Sequence, residues 1–200
     1  WHDCQVPLRP PLTSSADHAP DDSSKSVQRI GLIDYGMGNL HSVQTSFHRL
    51  GQPLVEVRNP QDLECCDALI LPGVGAFDPA MEKLHSSGLV QHLRSWHNSN
   101  RPLLGICLGL QLLFEGSDEG SAEGLGLFEG GVQRLPDRQG ERIPHMGWGQ
   151  LKPQQSCPLL PEGNEQPWVY FVHSYAAVPN QTSDLAATVT FGQGEATAMV

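Results

Sequence analysis

The sequence predicts an open, mostly parallel α/β sheet with helices on both faces, because short apolar runs alternate with segments of helical spacing. The apolar runs cover residues 29–34, 54–58, 67–71 and 101–106, and each has the length of a buried strand. This βαβα alternation is typical of parallel sheets. Such sheets bind ligands at the carboxyl ends of their strands.

Two regions between these strands have helical spacing. Apolar residues recur every three or four positions over residues 40–50, so we expect a stripe that packs on the sheet and a helix that ends at Gly51. Residues 78–98 form a longer helical region with a break near Gly88. After residue 125, glycine-rich turns and short β-like runs at 168–172, 187–190 and 196–200 predict antiparallel strands at the sheet edge.

The chain of 200 residues divides into an N-terminal arm and one domain. Residues 1–27 are rich in proline, serine and aspartate and contain too little apolar surface to offset the cost of ordering them, so we expect a disordered arm. The arm is acidic, without the basic start and apolar stretch of a secretory signal. The predicted domain covers residues 28–200.

Composition argues against several classes of function. The net charge of −10 disfavours a nucleic-acid surface, and no apolar run approaches the length of a membrane span. The five cysteines are odd in number and have no metal-ligand spacing, so we expect free thiols in the cytoplasm and no metal site. We also expect no cofactor, because the turn Tyr35-Gly-Met-Gly-Asn39 lacks the third glycine of a dinucleotide site. Asn39 instead suits a helix cap.

Cys107, in Gly105-Ile-Cys-Leu-Gly109, is the best candidate for a nucleophile. It lies between a predicted strand and a predicted helix, and flanking glycines are what a tight nucleophile elbow needs. A helix N-terminus favours the reactive thiolate, and the Leu108 amide can donate to a developing oxyanion. The alternative is a buried structural cysteine in an ordinary glycine-rich turn.

The loop Pro72-Gly-Val-Gly-Ala-Phe77 follows the third strand, beside the strand of Cys107. Its N–H groups are suited to an oxyanion, although a plain turn is the alternative. A cysteine nucleophile also needs a base. Of nine histidines, His145 and His173 remain as pocket candidates, and the residues alone favour His173, while a structural histidine stays possible at either position.

These motifs together resemble the class I glutamine amidotransferases, and among them the glutaminase subunits of the imidazole glycerol phosphate synthases of histidine biosynthesis. The resemblance covers residues 30–200 and depends on residues 34–42, 72–77, 105–114, 144–148 and 170–175. It implies a flavodoxin-like domain bound to a (β/α)8-barrel cyclase. It also implies that Cys107 attacks the side-chain amide of glutamine and that ammonia passes to the partner.

The same resemblance implies a role for each matching position. It implies that the oxyanion strand is formed by Gly73, Val74 and Gly75. It implies that the α-groups of glutamine are held by Gln111, Glu119, Ser174 and Tyr175. It implies that the partner is faced by Trp148, Tyr170 and His173, so that His173 is a pocket and interface residue and not the base.

The sequence departs from the family pattern in two places. Gly149 occupies a position that is usually asparagine, which puts one polar interface contact in doubt. The family's catalytic His and Glu lie in a His-Pro-Glu motif near the C-terminus, and these 200 residues contain no such motif. The resemblance places it beyond Val200, and we expect the 200-residue chain alone to be inactive.

Two alternative functions follow. The chain could be a non-catalytic docking module that keeps the amidotransferase fold after losing its base. It could also be a cysteine peptidase or a chaperone-like relative with the same elbow, but that reading leaves residues 39–42 and 170–175 unexplained.

Overall fold

A four-stranded parallel sheet forms the centre of the fold, as the sequence predicts. The computed structural model describes residues 28–137, 142–161 and 166–200, and the predicted N-terminal arm over residues 1–27 lies outside them. The sheet has the order β2-β1-β3-β4. Its strands are β1 (Ile30–Ile33), β2 (Leu54–Val57), β3 (Ala68–Leu71) and β4 (Leu103–Gly105). The central strands β1 and β3 are the most buried, because helices and neighbouring strands cover them.

Helices connect these strands, and their apolar faces form the main core. They are α1 (Leu40–Arg49), α2 (Phe77–Ser86), α3 (Val90–Asn98) and α4 (Leu108–Gln111). Gly88 separates α2 from α3 with a φ of +73°, which confirms the predicted break. Asn39 caps α1 as expected, because its side chain accepts a hydrogen bond from the Ser42 N–H at 3.2 Å.

The expectation for the apolar stripe over residues 40–50 is wrong in one respect. No residue of α1 is fully buried, and Leu50, just past the end of the helix, is 78% exposed. The stripe packs only partly on the sheet, whereas α2 and α3 each bury several apolar side chains. A helical repeat in the sequence gives the orientation of a stripe, but not how much of it finds a partner.

The second half of the chain forms antiparallel strands that belong to two sheets of their own. They are β5 (Gly130–Arg134), β6 (His145–Pro153), β7 (Trp168–His173), β8 (Tyr175–Pro179), β9 (Ala187–Phe191) and β10 (Gly194–Met199). One sheet has the order β10-β9-β6-β7, and the other pairs β5 with β8. The sequence does not indicate β6, because Gly147 and Gly149 interrupt its apolar pattern. Ser174 lies between β7 and β8, so the chain changes sheets at this residue.

Candidate active site

Cys107 lies at a sharp turn between β4 and α4. Its backbone has φ 57° and ψ −119°, an unusual conformation for a non-glycine residue and typical of a strained elbow. The flanking glycines are required by space. A Cβ at Gly105 would lie 2.6 Å from the Leu110 Cα, and one at Gly109 would overlap the Leu71 carbonyl. The glycine requirement of the predicted elbow is therefore confirmed. Cys107 itself is exposed, which disagrees with the alternative interpretation of Cys107 as a buried structural cysteine.

The helix after Cys107 is shorter than a sequence reading of the elbow suggests. α4 has four residues, so its dipole is that of a single turn. Local N–H groups are then the more important source of positive potential. Within the described part of the chain, the Leu108 N–H donates no hydrogen bond to protein, as expected for the first residue of a helix.

The loop after β3 contributes two more such groups. The N–H groups of Val74 and Gly75 also donate to no protein acceptor among the described residues. The loop packs closely on the elbow, since a Cβ at Gly73 would lie 2.7 Å from the Gly109 nitrogen. Gly75 has a φ of +94°, which glycine adopts without strain. Val74, Gly75 and Leu108 are thus arranged around Cys107 with open donors.

A cleft of about 370 Å³ opens above Cys107 and collects most of the predicted site. Its volume lies in the range of small-ligand pockets. The glycine loop after β3, the elbow at Cys107 and the change of sheets at Ser174 all contribute residues to it. It is lined by Val74, Gly75, Cys107, Leu108, Gln111, Glu119, Pro144, Val172, His173, Ser174 and Tyr175. Of the predicted catalytic, oxyanion and substrate residues, only Gly73 does not line the cleft, because it lies beneath the elbow.

Hydrogen bonds hold the polar residues of the cleft in place. Gln111 donates its side-chain N–H to the Tyr175 carbonyl at 3.2 Å. One carboxylate oxygen of Glu119 accepts the Phe77 N–H, at the start of α2, at 2.9 Å. The bond from Gln111 to Tyr175 joins the α/β half of the chain to the antiparallel half. The cleft therefore lies where the two halves meet.

A second cavity of about 410 Å³ lies on another side of Cys107. Its lining is mainly apolar and includes Leu110, Phe171 and Ala198. Cys107, Gln111, His173 and Tyr175 belong to both cavities. The thiol is therefore accessible from a polar side and from an apolar side.

Tyr35 supports the site, although sequence reasoning assigns it no role. Its hydroxyl donates to the Pro72 carbonyl at 2.9 Å, just before the glycine loop. Burial raises the pKa of Tyr35, and proximity to Cys107 raises it further, so the phenol stays protonated as a donor. The sequence signal for this role is the position of Tyr35 just after β1. That strand neighbours β3, which the glycine loop follows.

Comparison with known proteins gives the family. The glutamine amidotransferase class-I model matches residues 31–200. The chain belongs to this family. The amidotransferase chain is 65% identical over 174 residues to imidazole glycerol phosphate synthase subunit HisH 2 of Prochlorococcus marinus strain MIT 9313, covering 87% of this chain and 82% of that protein. It is 63% identical over 171 residues to subunit HisH of Synechococcus sp. strain CC9902, covering 86% and 80%.

Solved structures agree on the fold. A crystal structure of a glutamine amidotransferase superposes with a TM-score of 0.61 at 21% identity, covering 86% of this chain and 89% of that one. The PurLQS structure from Thermotoga maritima gives a TM-score of 0.58 at 15% identity, covering 86% and 87%. At such identities the likeness shows the fold alone. The predicted flavodoxin-like α/β class is confirmed.

His173 lines the amidotransferase cleft, but both of its ring nitrogens are occupied. Nδ1 lies 2.9 Å from the Tyr175 carbonyl, and Nε2 lies 3.0 Å from Nδ1 of His145. A general base needs a free nitrogen within reach of the thiol. The geometry therefore disagrees with His173 as the base, the first candidate from the residues alone. Apart from His173, no histidine among the described residues lines the cleft with Cys107.

The predicted partner residues Trp148 and Tyr170 lie outside the cleft, on the outer face of the β6–β7 pair. Their rings pack edge to face at 5.6 Å between centroids. Sequence reasoning missed the other members of this face. Each of five apolar side chains there is more than half exposed, and we name them the outer strip: Met146, Trp148, Trp168, Tyr170 and Val172.

Gly149 lies on the opposite face of the same pair. A Cβ there would lie 2.5 Å from a Val189 methyl and 3.1 Å from the Phe171 ring. The position that departs from the family pattern therefore faces the interior of the amidotransferase, not the surface expected to meet a partner.

Among residues 28–137, 142–161 and 166–200, no group of three or more His, Cys, Asp or Glu side chains is arranged to hold a metal ion. In the same part of the chain, every helix is too short or too polar to cross a bilayer.

Proposed function

We propose that this chain is the glutaminase subunit of an imidazole glycerol phosphate synthase and acts in the cytoplasm. It hydrolyses glutamine and supplies ammonia to a (β/α)8-barrel cyclase, which makes imidazole glycerol phosphate and aminoimidazole carboxamide ribotide. The observation that carries the proposal is the exposed Cys107 on a strained elbow, facing open N–H donors in one cleft. The relatives named above support the choice of synthase.

Cys107 is the nucleophile of this reaction. Its thiolate attacks the side-chain amide carbon of glutamine, and the carbonyl oxygen becomes an oxyanion. The N–H groups of Leu108, Val74 and Gly75 stabilise that charge, and Gly73 supports the loop from beneath the elbow. The C–N bond then breaks, ammonia leaves with an added proton, and a glutamyl thioester remains. Water hydrolyses the thioester to glutamate and restores the thiol.

The proton transfers need a base that Cys107 can reach. The family pattern assigns this role to the histidine of a His-Pro-Glu motif, which these 200 residues lack. His173 does not replace it, because its ring nitrogens already take part in two hydrogen bonds. We therefore do not assign the base to His173.

The polar wall of the cleft holds the α-groups of glutamine. Glu119 uses one carboxylate oxygen for the Phe77 N–H, which leaves the other oxygen for an α-ammonium group. Gln111 retains its side-chain oxygen as an acceptor, since its amide nitrogen donates to Tyr175. Ser174 and Tyr175 complete the wall from the opposite side of the cleft.

The outer strip is the surface that meets the cyclase. Its residues come from two paired strands, with Met146 opposite Val172 and Trp148 opposite Tyr170. An exposed cluster of tryptophan, tyrosine and methionine has the composition of an interface core. Val172 joins this strip to the cleft, because it belongs to the strip and also lines the cleft, and His173 lies beside it on β7 in the same lining.

A second candidate is a docking module without catalysis. The exposed outer strip supports it, because an apolar surface of this kind can dock a partner with or without catalysis. The two functions differ in glutamine turnover by the full-length chain with its cyclase. A docking module binds the cyclase through the outer strip and releases no glutamate.

The test measures glutamate release by the full-length chain in complex with its cyclase. We expect Cys107→Ala to lower turnover by at least about a thousand-fold while leaving the complex assembled. Cys157→Ala is the matched control, since Cys157 is another free thiol far along the chain from the elbow. Unchanged turnover in the Cys107→Ala complex would overturn the mechanism. Robust turnover by the 200-residue chain alone would show that the base lies within it.

A further inference from the structure

A row of hydrogen bonds leads from β6 to the wall of the cleft. His145 Nδ1 lies 3.0 Å from His173 Nε2, and His173 Nδ1 lies 2.9 Å from the Tyr175 carbonyl oxygen. The same carbonyl accepts the Gln111 amide at 3.2 Å. We name this row the histidine relay. It joins the strand pair that carries the outer strip to the helix that follows Cys107.

The chemistry of the relay determines which nitrogen carries each proton. A carbonyl oxygen only accepts, so His173 Nδ1 must be the donor to Tyr175. Burial lowers the pKa of His173, and the neighbouring His145 lowers it further against the opposing effect of the Tyr175 carbonyl. A neutral His173 then has a bare Nε2, which accepts. His145 must therefore donate from its own Nδ1.

Aromatic packing holds the first member of the relay in this orientation. The His145 ring stacks on Phe171 with 5.3 Å between centroids and an angle of 15°. Phe191 packs against it at the same centroid distance with an angle of 55°. These contacts fix the plane of the His145 ring, and the hydrogen bond to His173 fixes which edge of the ring carries Nδ1 toward it.

We propose that His145 is a positioning residue for glutamine binding, which it supports through His173. Fixing His173 fixes the Tyr175 carbonyl, and that carbonyl orients Gln111 on the other side of the cleft. His145 does not line the cleft, so it acts only through its neighbour. The proposal rests on the function proposed above, since its kinetic readout is the affinity for glutamine.

The kinetic test compares two variants of His145 in the full-length complex. His145→Phe keeps a planar ring but removes the donor, and His145→Asn places an amide N–H where the imidazole has Nδ1. We expect His145→Phe to raise KM for glutamine about five-fold or more, with kcat within about two-fold. We expect His145→Asn to restore KM to near the wild-type value. His92→Phe is the control, because His92 lies on α3 outside the cleft and the only hydrogen bond of its ring among the described residues is to the Gly88 carbonyl.

The outcomes separate the relay from the proposed function. A wild-type KM in His145→Phe, or an equal rise in both variants, would overturn the positioning role in favour of ring packing alone. A wild-type complex without glutamine turnover would overturn the proposed function instead. Ring ¹⁵N chemical shifts then test the relay without activity, and they also serve if His145→Phe fails to fold. We expect protonated Nδ1 on both histidines and a bare Nε2 on His173, and any other tautomer of His173 overturns the relay.

Discussion

The parallel sheet is covered on both faces, whereas the β6–β7 pair is covered on only one. β3 buries three of its four residues, because helices and strands surround it. β6 alternates between half-buried and exposed residues, so one face packs on the interior while the other carries the outer strip. A sheet covered on both faces is a rigid support for a strained nucleophile. A sheet covered on one face leaves an apolar surface for a partner.

The largest effect that we predict is a loss of stability at the elbow, which the parallel sheet supports. Gly109→Ala places a methyl group against the Leu71 carbonyl. The elbow on one side and β3 on the other are both backbone, so the two cannot easily move apart. We expect a loss of about 3 kcal/mol or more in the free energy of unfolding of the full-length chain, measured by urea denaturation. Gly116→Ala is the control, because its Cβ would meet only an ordinary contact at 3.8 Å. Equal stability of the two variants would contradict a tightly packed elbow.

The next effect concerns the outer strip. Trp148→Ala removes an exposed ring, so we expect the free energy of unfolding to change little. We expect the free energy of binding to the cyclase to become less favourable by about 2 kcal/mol. Titration calorimetry against the isolated cyclase measures that change. Leu159→Ala removes another exposed apolar side chain outside the strip and should bind as the wild type does. An unaltered affinity in Trp148→Ala would place the interface elsewhere.

A smaller effect tests the inner face of the same pair. Gly149→Asn introduces a side chain against Val189 and Phe171. We expect a loss of about 1–2 kcal/mol in stability, since overpacking forces these neighbours to shift. Affinity for the cyclase should fall far less than in Trp148→Ala. A gain in affinity with unchanged stability would mean that position 149 faces the partner after all.

The smallest effect is a pH dependence. The folded-state pKa of His173 lies below its usual value, chiefly because of burial. The contribution of neutral His173 to the free energy of unfolding is therefore fully present above the unfolded-state pKa of about 6.5. It is lost as the pH falls through the folded-state pKa. Urea denaturation at several pH values should show a decline on acidification that His173→Asn lacks. Parallel curves for both chains would exclude His173 as its source.

Local sequence determined the elements of the first half and the identity of the nucleophile. The strands at 54–58 and 67–71 are found close to their predicted bounds, since short runs rich in apolar residues between turns are typical of strands. The glycines around Cys107 predicted the elbow, although only the constraint at Gly105 comes from a residue close in sequence, Leu110, whereas Gly109 is constrained by Leu71 on the neighbouring strand. Recognition of the family came from the same short motifs.

Tertiary structure decided what depends on distant residues. Cys107, Glu119 and Ser174 come together only because three sheets meet at one cleft, and no periodicity in the chain encodes that meeting. The occupancy of both His173 nitrogens likewise depends on pairing between β6 and β7. The sequence determined which residue we propose as the nucleophile. Pairing of β6 with β7 determined that both nitrogens of His173 are occupied.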